Sequence, residues 1–246
     1  GDVDILGGSG NGDIIVWHEN DGSEGFTTRE IDGMQGSGGQ SGTSDAPMDI
    51  YALDVDDDGD IDVLSASAGD NTISWYENDG DESFTKRVIT TSADGARDVY
   101  AKDIDGDGDI DVVSASYDDD TLAWYENDGS ENFTEIAIAT NLDGAHNIYV
   151  EDMDADGDID VLVTVFLADK ITMFRNDGSE NFAENIVYSS EQGCDGPQSI
   201  IAADIDSDGD MDVAASIRYN HRVYWVENLM ECDEGFDCAG ICGGDA

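Results

Sequence analysis

Short runs of alternating apolar and polar residues, separated by turn residues, repeat along most of the chain. In the second repeat these runs lie near residues 48–53, 61–67, 72–77 and 83–89. Runs of this length that are rich in β-branched and aromatic residues, and bounded by Asn, Asp and Gly, predict β-strands. No helical periodicity of useful length interrupts them. The pattern predicts an all-β protein in which each repeat forms four short strands.

An Asn-Asp-Gly tripeptide joins the third predicted strand of a repeat to the fourth. It occurs at residues 20–22, 78–80, 127–129 and 176–178. Asn-Gly and Asp-Gly pairs between apolar alternations predict β-hairpins, because these residues accept a positive φ. The third and fourth strands are therefore antiparallel neighbours.

Aromatic residues mark the same two strands in each repeat. In the third strands they are Trp17, Trp75, Tyr76, Trp124, Tyr125, Phe174, Tyr224 and Trp225, and in the fourth strands they are Phe26, Phe84, Phe133 and Phe182. We interpret these side chains as packing between neighbouring sheets. A platform for stacking against sugars is the alternative interpretation.

A nine-residue loop rich in aspartate joins the first predicted strand to the second. Complete copies begin at residues 54, 103, 152 and 204, so that successive copies start 49, 49 and 52 residues apart. A fixed period of this size is typical of repeat architectures, and four antiparallel strands per repeat are the signature of a β-propeller blade. The predicted fold is therefore a β-propeller of four-stranded antiparallel blades.

The chain supplies about five blades' worth of sequence, within a predicted propeller domain of residues 1–229. The predicted blades lie near residues 1–31, 47–90, 96–139, 145–188 and 198–229. The first lacks its first strand and the last ends after its third strand, so the sequence looks like part of a longer polypeptide. A closed ring of five blades and a seven-bladed ring with missing blades both remain open.

Two stretches depart from the repeat. Residues 32–47 are rich in Gly and Ser and predict a flexible surface loop. Residues 230–246 are rich in Cys, Gly and Asp and are interpreted as the start of a separate extracellular segment.

Each aspartate loop concentrates five recurring carboxylates within nine residues. Two carboxylates roughly 6 Å apart repel by about 2–3 kcal/mol at an effective dielectric constant of about 20. Several such pairs in one turn would open it unless a cation neutralised them. Calcium takes six to eight oxygen ligands in flexible geometry, which alternating Asp side chains and a backbone carbonyl supply. An acidic turn that is solvated without metal is the alternative.

We assign the metal ligands by position in the loop. The first, third, fifth and ninth positions supply side chains: Asp54, Asp56, Asp58 and Asp62; Asp103, Asp105, Asp107 and Asp111; Asp152, Asp154, Asp156 and Asp160; Asp204, Asp206, Asp208 and Asp212. The seventh position supplies its backbone carbonyl: Asp60, Asp109, Asp158 and Asp210. The sixth position supplies the bend: Gly59, Gly108, Gly157 and Gly209. The sequence thus predicts about four Ca²⁺ ions, one for each complete loop.

An EF-hand does not fit these loops. An EF-hand needs a bidentate Glu at position 12 and helices on both sides. Position 12 is instead Ser65, Ser114, Val163 or Ala215, and runs typical of strands follow each loop.

The composition restricts the partners. The formal net charge is −50 with only nine Lys and Arg residues, and four calcium ions would offset eight of those charges. Nucleic acid and anionic membranes need a basic surface, so both are excluded as partners, and no transmembrane run is present. Such acidity suits a saline, calcium-containing exterior, where a short Debye length screens the charge.

The four cysteines agree with an oxidising location. Cys232, Cys238 and Cys242 cluster in the tail, whereas Cys194 lies between predicted blades. One disulfide within the tail would leave a third thiol for Cys194 or for chain beyond residue 246. A zinc site in the tail is a weaker alternative, because the tail contains no His and no CxxC pair.

No catalytic constellation is recognisable. His18, His146 and His221 fall at positions of their repeats that do not match, and no nucleophile elbow, phosphate loop or metalloprotease helix occurs. A glycosidase-like carboxylate pair among the 59 acidic residues is a formal alternative. We expect no enzyme activity.

The order of loop, hairpin and aromatic marks resembles the FG-GAP/VCBS repeat family, which includes the calcium-binding blades of integrin α-subunits and secreted proteins of marine bacteria and algae. The resemblance covers nearly all of residues 1–229 and implies one Ca²⁺ for each complete loop. The integrin-type Phe-Gly and Gly-Ala-Pro marks are absent, which argues against an integrin-like ligand site. The family resemblance implies a calcium-stabilised extracellular module for adhesion or assembly, which binds a protein or glycan partner at a cell surface or in a matrix. A carbohydrate-binding propeller, either a lectin or a non-catalytic appendage of a polysaccharide-active enzyme, is the alternative.

Overall fold

The computed structural model describes residues 2–10, 12–23, 25–33 and 45–227. Most of the predicted flexible loop at 32–47 and the whole of the predicted segment at 230–246 lie outside the described residues. Within the described part, the protein contains eighteen β-strands and one 3₁₀ turn at Ser190–Gln192. The all-β prediction is confirmed.

The strands are numbered in chain order. They are β1 Ile5–Ser9, β2 Ile14–Asn20, β3 Phe26–Asp32, β4 Pro47–Leu53, β5 Asp62–Ser67, β6 Thr72–Asn78, β7 Phe84–Thr90, β8 Ala96–Lys102, β9 Asp111–Ser116, β10 Thr121–Asn127, β11 Phe133–Ala139, β12 Ala145–Glu151, β13 Asp160–Val165, β14 Lys170–Asn176, β15 Phe182–Ser189, β16 Pro197–Ala203, β17 Asp212–Ile217 and β18 Arg222–Val226.

The strands form five antiparallel sheets, each a simple meander. Strands β4–β7, β8–β11 and β12–β15 make four-stranded sheets, whereas β1–β3 and β16–β18 make three-stranded sheets within the described residues. The second strand of each four-stranded sheet is buried along its whole length, as in Asp62–Ser67. Burial on both faces explains why these strands read as continuous runs of apolar and small residues.

The chain divides into two compact units, residues 1–103 with 107–146, and residues 104–106 with 147–246. In the first unit, the buried Trp75 of β6 meets Phe133 of β11 edge to face, with ring centroids 6.5 Å apart. In the second unit, Tyr188 and Tyr224 pack with ring centroids 5.0 Å apart, beside a cluster that includes Met153 and Leu162. The interpretation of the repeated aromatics as packing between sheets holds for Trp75, Phe133 and Tyr224.

Two of the marked aromatics are largely exposed in the described structure. Trp225 is 50% exposed and Phe26 is 52% exposed. Both lie in the three-stranded sheets. The sequence pattern places these two residues at the same positions as the aromatics of the other repeats. It identifies a position in the repeat, and it does not show whether neighbouring residues bury that position.

A second recurring contact, which we call the clasp, lies at the turn between the second and third strands of a sheet. In each clasp a turn residue with positive φ accepts a hydrogen bond from the backbone that leads into a later strand. The Asn71 Oδ1 accepts from the Gly95 N–H at 3.1 Å, the Asp120 Oδ1 accepts from Gly144 at 3.0 Å and the Asp169 Oδ1 accepts from Gly196 at 2.8 Å. Asn and Asp tolerate the left-handed conformation better than other residues with a Cβ.

The clasp predicts a measurable contribution to stability. We expect Asn71→Ala to lower the free energy of unfolding by about 1–2 kcal/mol, because it removes one partly buried hydrogen bond and places Ala at a φ of +60°. Urea denaturation in excess calcium measures this loss. Asn71→Asp is the matched control, since Asp120 and Asp169 fill the same role, and a loss equal to that of Asn71→Ala would contradict the explanation.

Cys194, the cysteine that lies within the described residues, is part of the core of the second unit. Cys194 is 3% exposed, and burial raises the pKa of its thiol to about 11. The three tail cysteines lie outside the described residues, so the pairing stays a prediction. Within the described residues, no helix has the length and apolar character needed to span a membrane.

Candidate metal centre

Each aspartate loop is wound tightly by its own backbone. In the loop of residues 54–62, Asp57 has a φ of +58° and Gly59 a φ of +98°. The Asp54 carboxylate closes the turn, because it accepts the N–H of Asp58 at 3.2 Å and of Gly59 at 3.0 Å. A φ near +100° is available in practice only to glycine, which explains the sixth position of all four loops.

The ninth aspartate is the most buried residue of the loop and ties the loop to the hairpin turn. Asp62 has no exposed surface, and its two oxygens accept the N–H of Val55 at 3.1 Å and of Asn78 at 2.8 Å. Asn78 begins the Asn-Asp-Gly turn, so one carboxylate holds both chain segments. The loop pattern predicted this residue as a ligand; its second role, as an acceptor for two backbone N–H groups, is visible only in the structure.

The same arrangement recurs in other sheets. Asp160 accepts the N–H of Met153 at 3.0 Å and of Asn176 at 2.9 Å. Burial raises the pKa of Asp160 to about 6, although the two N–H groups oppose that shift. Asp4 accepts the N–H of Asn20 at 2.8 Å, so the connection is also present beside the incomplete first loop.

The seventh aspartate lies against the glycine of the hairpin turn. A Cβ added to Gly178, whose φ is +70°, would lie 2.6 Å from the Asp158 Oδ2. Asp60 and Gly80 show the same close approach. This contact requires glycine as the third residue of the Asn-Asp-Gly turn. It also keeps the seventh side chain at the hairpin, which is compatible with the prediction that this position binds metal through its carbonyl.

The structure gathers the predicted side-chain ligands into one group in each loop. One carboxylate oxygen from each member lies within 4.8 Å of the others in Asp54, Asp56 and Asp58; in Asp103, Asp105 and Asp111; in Asp152, Asp154 and Asp160; and in Asp204, Asp206 and Asp208. The remaining predicted side chains, at positions 62, 107, 156 and 212, lie outside this closest group in their own loop. In the loops 103–111 and 152–160 the residue outside the group is the fifth-position aspartate. Its carboxylate accepts a backbone N–H of the loop: the Asp107 Oδ1 accepts the Asp109 N–H at 2.9 Å, and the Asp156 Oδ1 accepts the Asp158 N–H at 2.9 Å.

The residues fit a hard cation. The Oδ1 atoms of Asp56 and of Asp152 are buried and accept no hydrogen bond in the structure. A buried carboxylate oxygen without a donor costs free energy that a bound cation would recover. Burial, together with the nearby negative charges of Asp62 and Asp58, raises the pKa of Asp56. All the candidate metal-ligand atoms are oxygens and several are charged, which is the ligand set that calcium prefers.

Charged side chains next to the loops were not identified from the sequence. Glu77 of β6 and Glu131 come within the same 4.8 Å limit of Asp56. Arg87 binds both glutamates, with its Nε 2.6 Å from Glu77 and its Nη1 2.9 Å from Glu131. The recurrence of Glu within Trp-Tyr-Glu-Asn is the signal that would have pointed to this position.

The fourth sheet departs from this arrangement. Arg175 of β14 stands where β6 has Glu77, and its Nε lies 2.8 Å from the Asp154 Oδ2. A cation of the protein itself therefore contacts the third position of this loop.

Comparison with known families agrees with these repeats. The model of the FG-GAP-like repeat matches residues 54–114, 103–163 and 152–215, each match running from one aspartate loop through the next. The chain belongs to the FG-GAP-like repeat family. The resemblance noted in the sequence is thereby confirmed. No curated protein sequence matches the chain.

Solved structures that resemble this FG-GAP-like repeat protein support the β-propeller fold. An Agrocybe aegerita lectin, solved to explain recognition of non-reducing terminal N-acetylglucosamine, is 17% identical with a TM-score of 0.59, over 87% of this chain and 60% of the lectin. Virginiamycin B lyase from Staphylococcus aureus is 17% identical with a TM-score of 0.59, over 92% of this chain and 63% of the lyase. The V. cholerae biofilm matrix protein Bap1 is 20% identical with a TM-score of 0.53, over 98% of this chain and 38% of Bap1.

These identities establish the fold and not a shared activity. The chain spans 60% of the lectin and 63% of the lyase, so it is shorter than the proteins it resembles. The relatives include a lectin, an enzyme and a matrix protein, in agreement with the rule that one fold carries many functions.

Proposed function

We propose that this FG-GAP-like repeat protein is a calcium-binding extracellular module for adhesion or assembly, in which calcium is a structural ion. The observation that carries the proposal is the set of four carboxylate groups, one for each complete loop, with buried oxygens of Asp56 and Asp152 that accept no hydrogen bond. First-, third-, fifth- and ninth-position side chains would hold the ion. When bound, calcium would supply positive charge that cancels the repulsion within each loop.

The mechanism is mechanical rather than catalytic. The ninth aspartate already links the loop to the hairpin turn, and an ion bound at the same loop would fix the first, third and fifth carboxylates as well. Because the metal binds the folded loop and not the unfolded chain, it stabilises the sheet by mass action. The stiffened loops would present surface residues to a partner outside the cell. The biofilm matrix protein and the lectin among the structural relatives support a role in matrix or surface assembly.

Loop-specific substitution tests the calcium assignment. We expect Asp56→Ala combined with Asp58→Ala to lower the number of bound calcium ions by one, because it removes two of the three grouped carboxylates of that loop. Equilibrium dialysis with metal analysis measures the number. Asp57→Ala is the matched control, since Ala155 stands at the same position of the loop 152–160. An unchanged number of ions in the double variant would refute the assignment.

Carbohydrate binding is the second candidate function. The lectin among the structural relatives and the exposed rings of Trp225 and Tyr219, which are 50% and 56% exposed, favour it. A glycan array probed in calcium separates the two candidates. Saturable binding of one glycan class, lost in Trp225→Ala, would support a lectin, whereas a blank array would favour a protein partner.

A further inference from the structure

The four loops have different charged neighbours, and the difference lies at one position of the third strand. Glu occupies this position in four of the five repeats, as Glu19, Glu77, Glu126 and Glu227. The fourth repeat has Arg175 there, directly after Phe174 in β14.

In the second sheet this position leaves a net negative charge beside the loop. Glu77 and Glu131 contribute two negative charges near Asp56, and Arg87 contributes one positive charge that contacts both glutamates. The balance is one negative charge, and the Asp56 Oδ1 remains buried without a hydrogen bond.

In the fourth sheet a positive charge stands at this position. Arg175 lies opposite Ala183 on the neighbouring strand, so it has no acidic partner directly across the sheet. The arginine of the second sheet, Arg87, is replaced in this sheet by Asn185. The Arg175 guanidinium therefore binds the loop itself, with its Nε 2.8 Å from the Asp154 Oδ2. The other oxygen of Asp154 accepts the Asp156 N–H at 3.3 Å, so both oxygens are engaged without a metal.

We infer that Arg175 is an internal counter-ion that makes the loop of residues 152–160 the weakest calcium site among the four complete loops. The inference rests on the proposed function, since it concerns the same loops. A calcium ion entering this loop must displace or approach a positive charge, whereas at the loop 54–62 it meets an additional negative charge. A difference of two elementary charges at roughly 6 Å, screened by water and salt, corresponds to about 10- to 100-fold in affinity. The loop 152–160 therefore fills last, and when calcium is scarce Arg175 neutralises part of its charge.

Calorimetric titration of the full 246-residue chain with CaCl₂ against a competing chelator tests the inference. The wild-type chain is expected to show one ion per chain in a weaker class. Arg175→Glu should move that ion into the tight class, with its Kd lowered about 10-fold or more, and Arg175→Gln should give a smaller shift in the same direction. Adding Asp152→Asn to Arg175→Glu should remove the ion.

A second measurement distinguishes a counter-ion from an arginine that only supports the fold. Arg175→Glu should lower the melting temperature in excess EDTA, because it adds a carboxylate beside Asp154, and should raise it in saturating calcium. Loss of a purely structural arginine would lower it in both conditions. Arg222→Glu is the control for net charge, since Arg222 is exposed and contacts the Tyr224 hydroxyl at 3.3 Å.

The possible failures are distinct. A wild-type chain that binds no calcium would overturn the proposed function together with this inference. Four sites of equal affinity that Arg175→Glu leaves unchanged would overturn this inference alone.

Discussion

Removing calcium with a chelator is expected to lower the melting temperature of this protein by about 10–20 °C. An ion that binds the folded state alone stabilises by RT ln(1 + [Ca²⁺]/Kd), which is about 1.8 kcal/mol for each site of about 10⁻⁴ M affinity at about 2 mM calcium. Three well-filled loops then supply about 5 kcal/mol. In a protein of this size each kcal/mol corresponds to about 2–4 °C in melting temperature.

Differential scanning calorimetry with and without EDTA measures the shift, and added calcium should reverse it. The net charge of −50 makes the ionic control essential, because any salt screens repulsion among 59 acidic residues. Magnesium chloride at equal ionic strength is that control, since magnesium demands octahedral geometry and gives up its water reluctantly. Equal stabilisation by both salts would show general screening in place of specific binding. An unchanged melting curve in EDTA would contradict the structural role of calcium altogether.

The strands were readable from the sequence because alternation and turn residues encode them locally. In the second repeat no strand end differs from its predicted position by more than one residue. The predicted strands were 48–53, 61–67, 72–77 and 83–89, and the observed strands are Pro47–Leu53, Asp62–Ser67, Thr72–Asn78 and Phe84–Thr90. Within the described residues the first and last sheets have three strands each. Each of these features depends on neighbours close in sequence.

The side-chain contacts between distant segments could not be predicted from the sequence. The clasp joins Asn71 to Gly95, which are 24 residues apart, and nothing in either segment alone specifies the contact. The Arg175–Asp154 ion pair likewise depends on which strand stands next to which loop. The repeat does contain a clue to both, because Asn or Asp recurs before the third strand and Glu recurs within it. Recurrence identifies a position as constrained, and only the fold identifies its partner.

The second role of the ninth aspartate was hidden for a different reason. A carboxylate that accepts backbone N–H groups and one that binds metal have the same sequence signature. Burial and reach distinguish Asp62 from Asp58. Asp62 is fully buried and accepts N–H groups from two chain segments, whereas Asp58 is exposed and accepts the Asp60 N–H within its own loop. The two residues belong to the same repeating aspartate pattern. We expect Asp62 to stabilise the fold through its hydrogen bonds and Asp58 to act through the bound ion.

Replacing the ninth aspartate is expected to destabilise the protein even when no metal is bound. Asp62→Ala leaves the buried N–H of Val55 and the partly buried N–H of Asn78 without an acceptor, and each such loss costs about 1–3 kcal/mol. We expect a total loss of about 3–5 kcal/mol in the free energy of unfolding, measured by urea denaturation in excess EDTA. Asp62→Asn keeps one acceptor oxygen and should lose about half as much.

Asp58→Ala is the comparison that separates the two roles. In EDTA it should change the stability by less than about 1 kcal/mol, because the Asp58 side chain is exposed and its removal relieves repulsion with Asp54 and Asp56. In saturating calcium both variants should lose the contribution of the ion, so the gap between them should persist in both buffers. If the two variants were equally stable in EDTA, the hydrogen bonds of Asp62 would carry no stability of their own, and the ninth aspartate would be a ligand and nothing more.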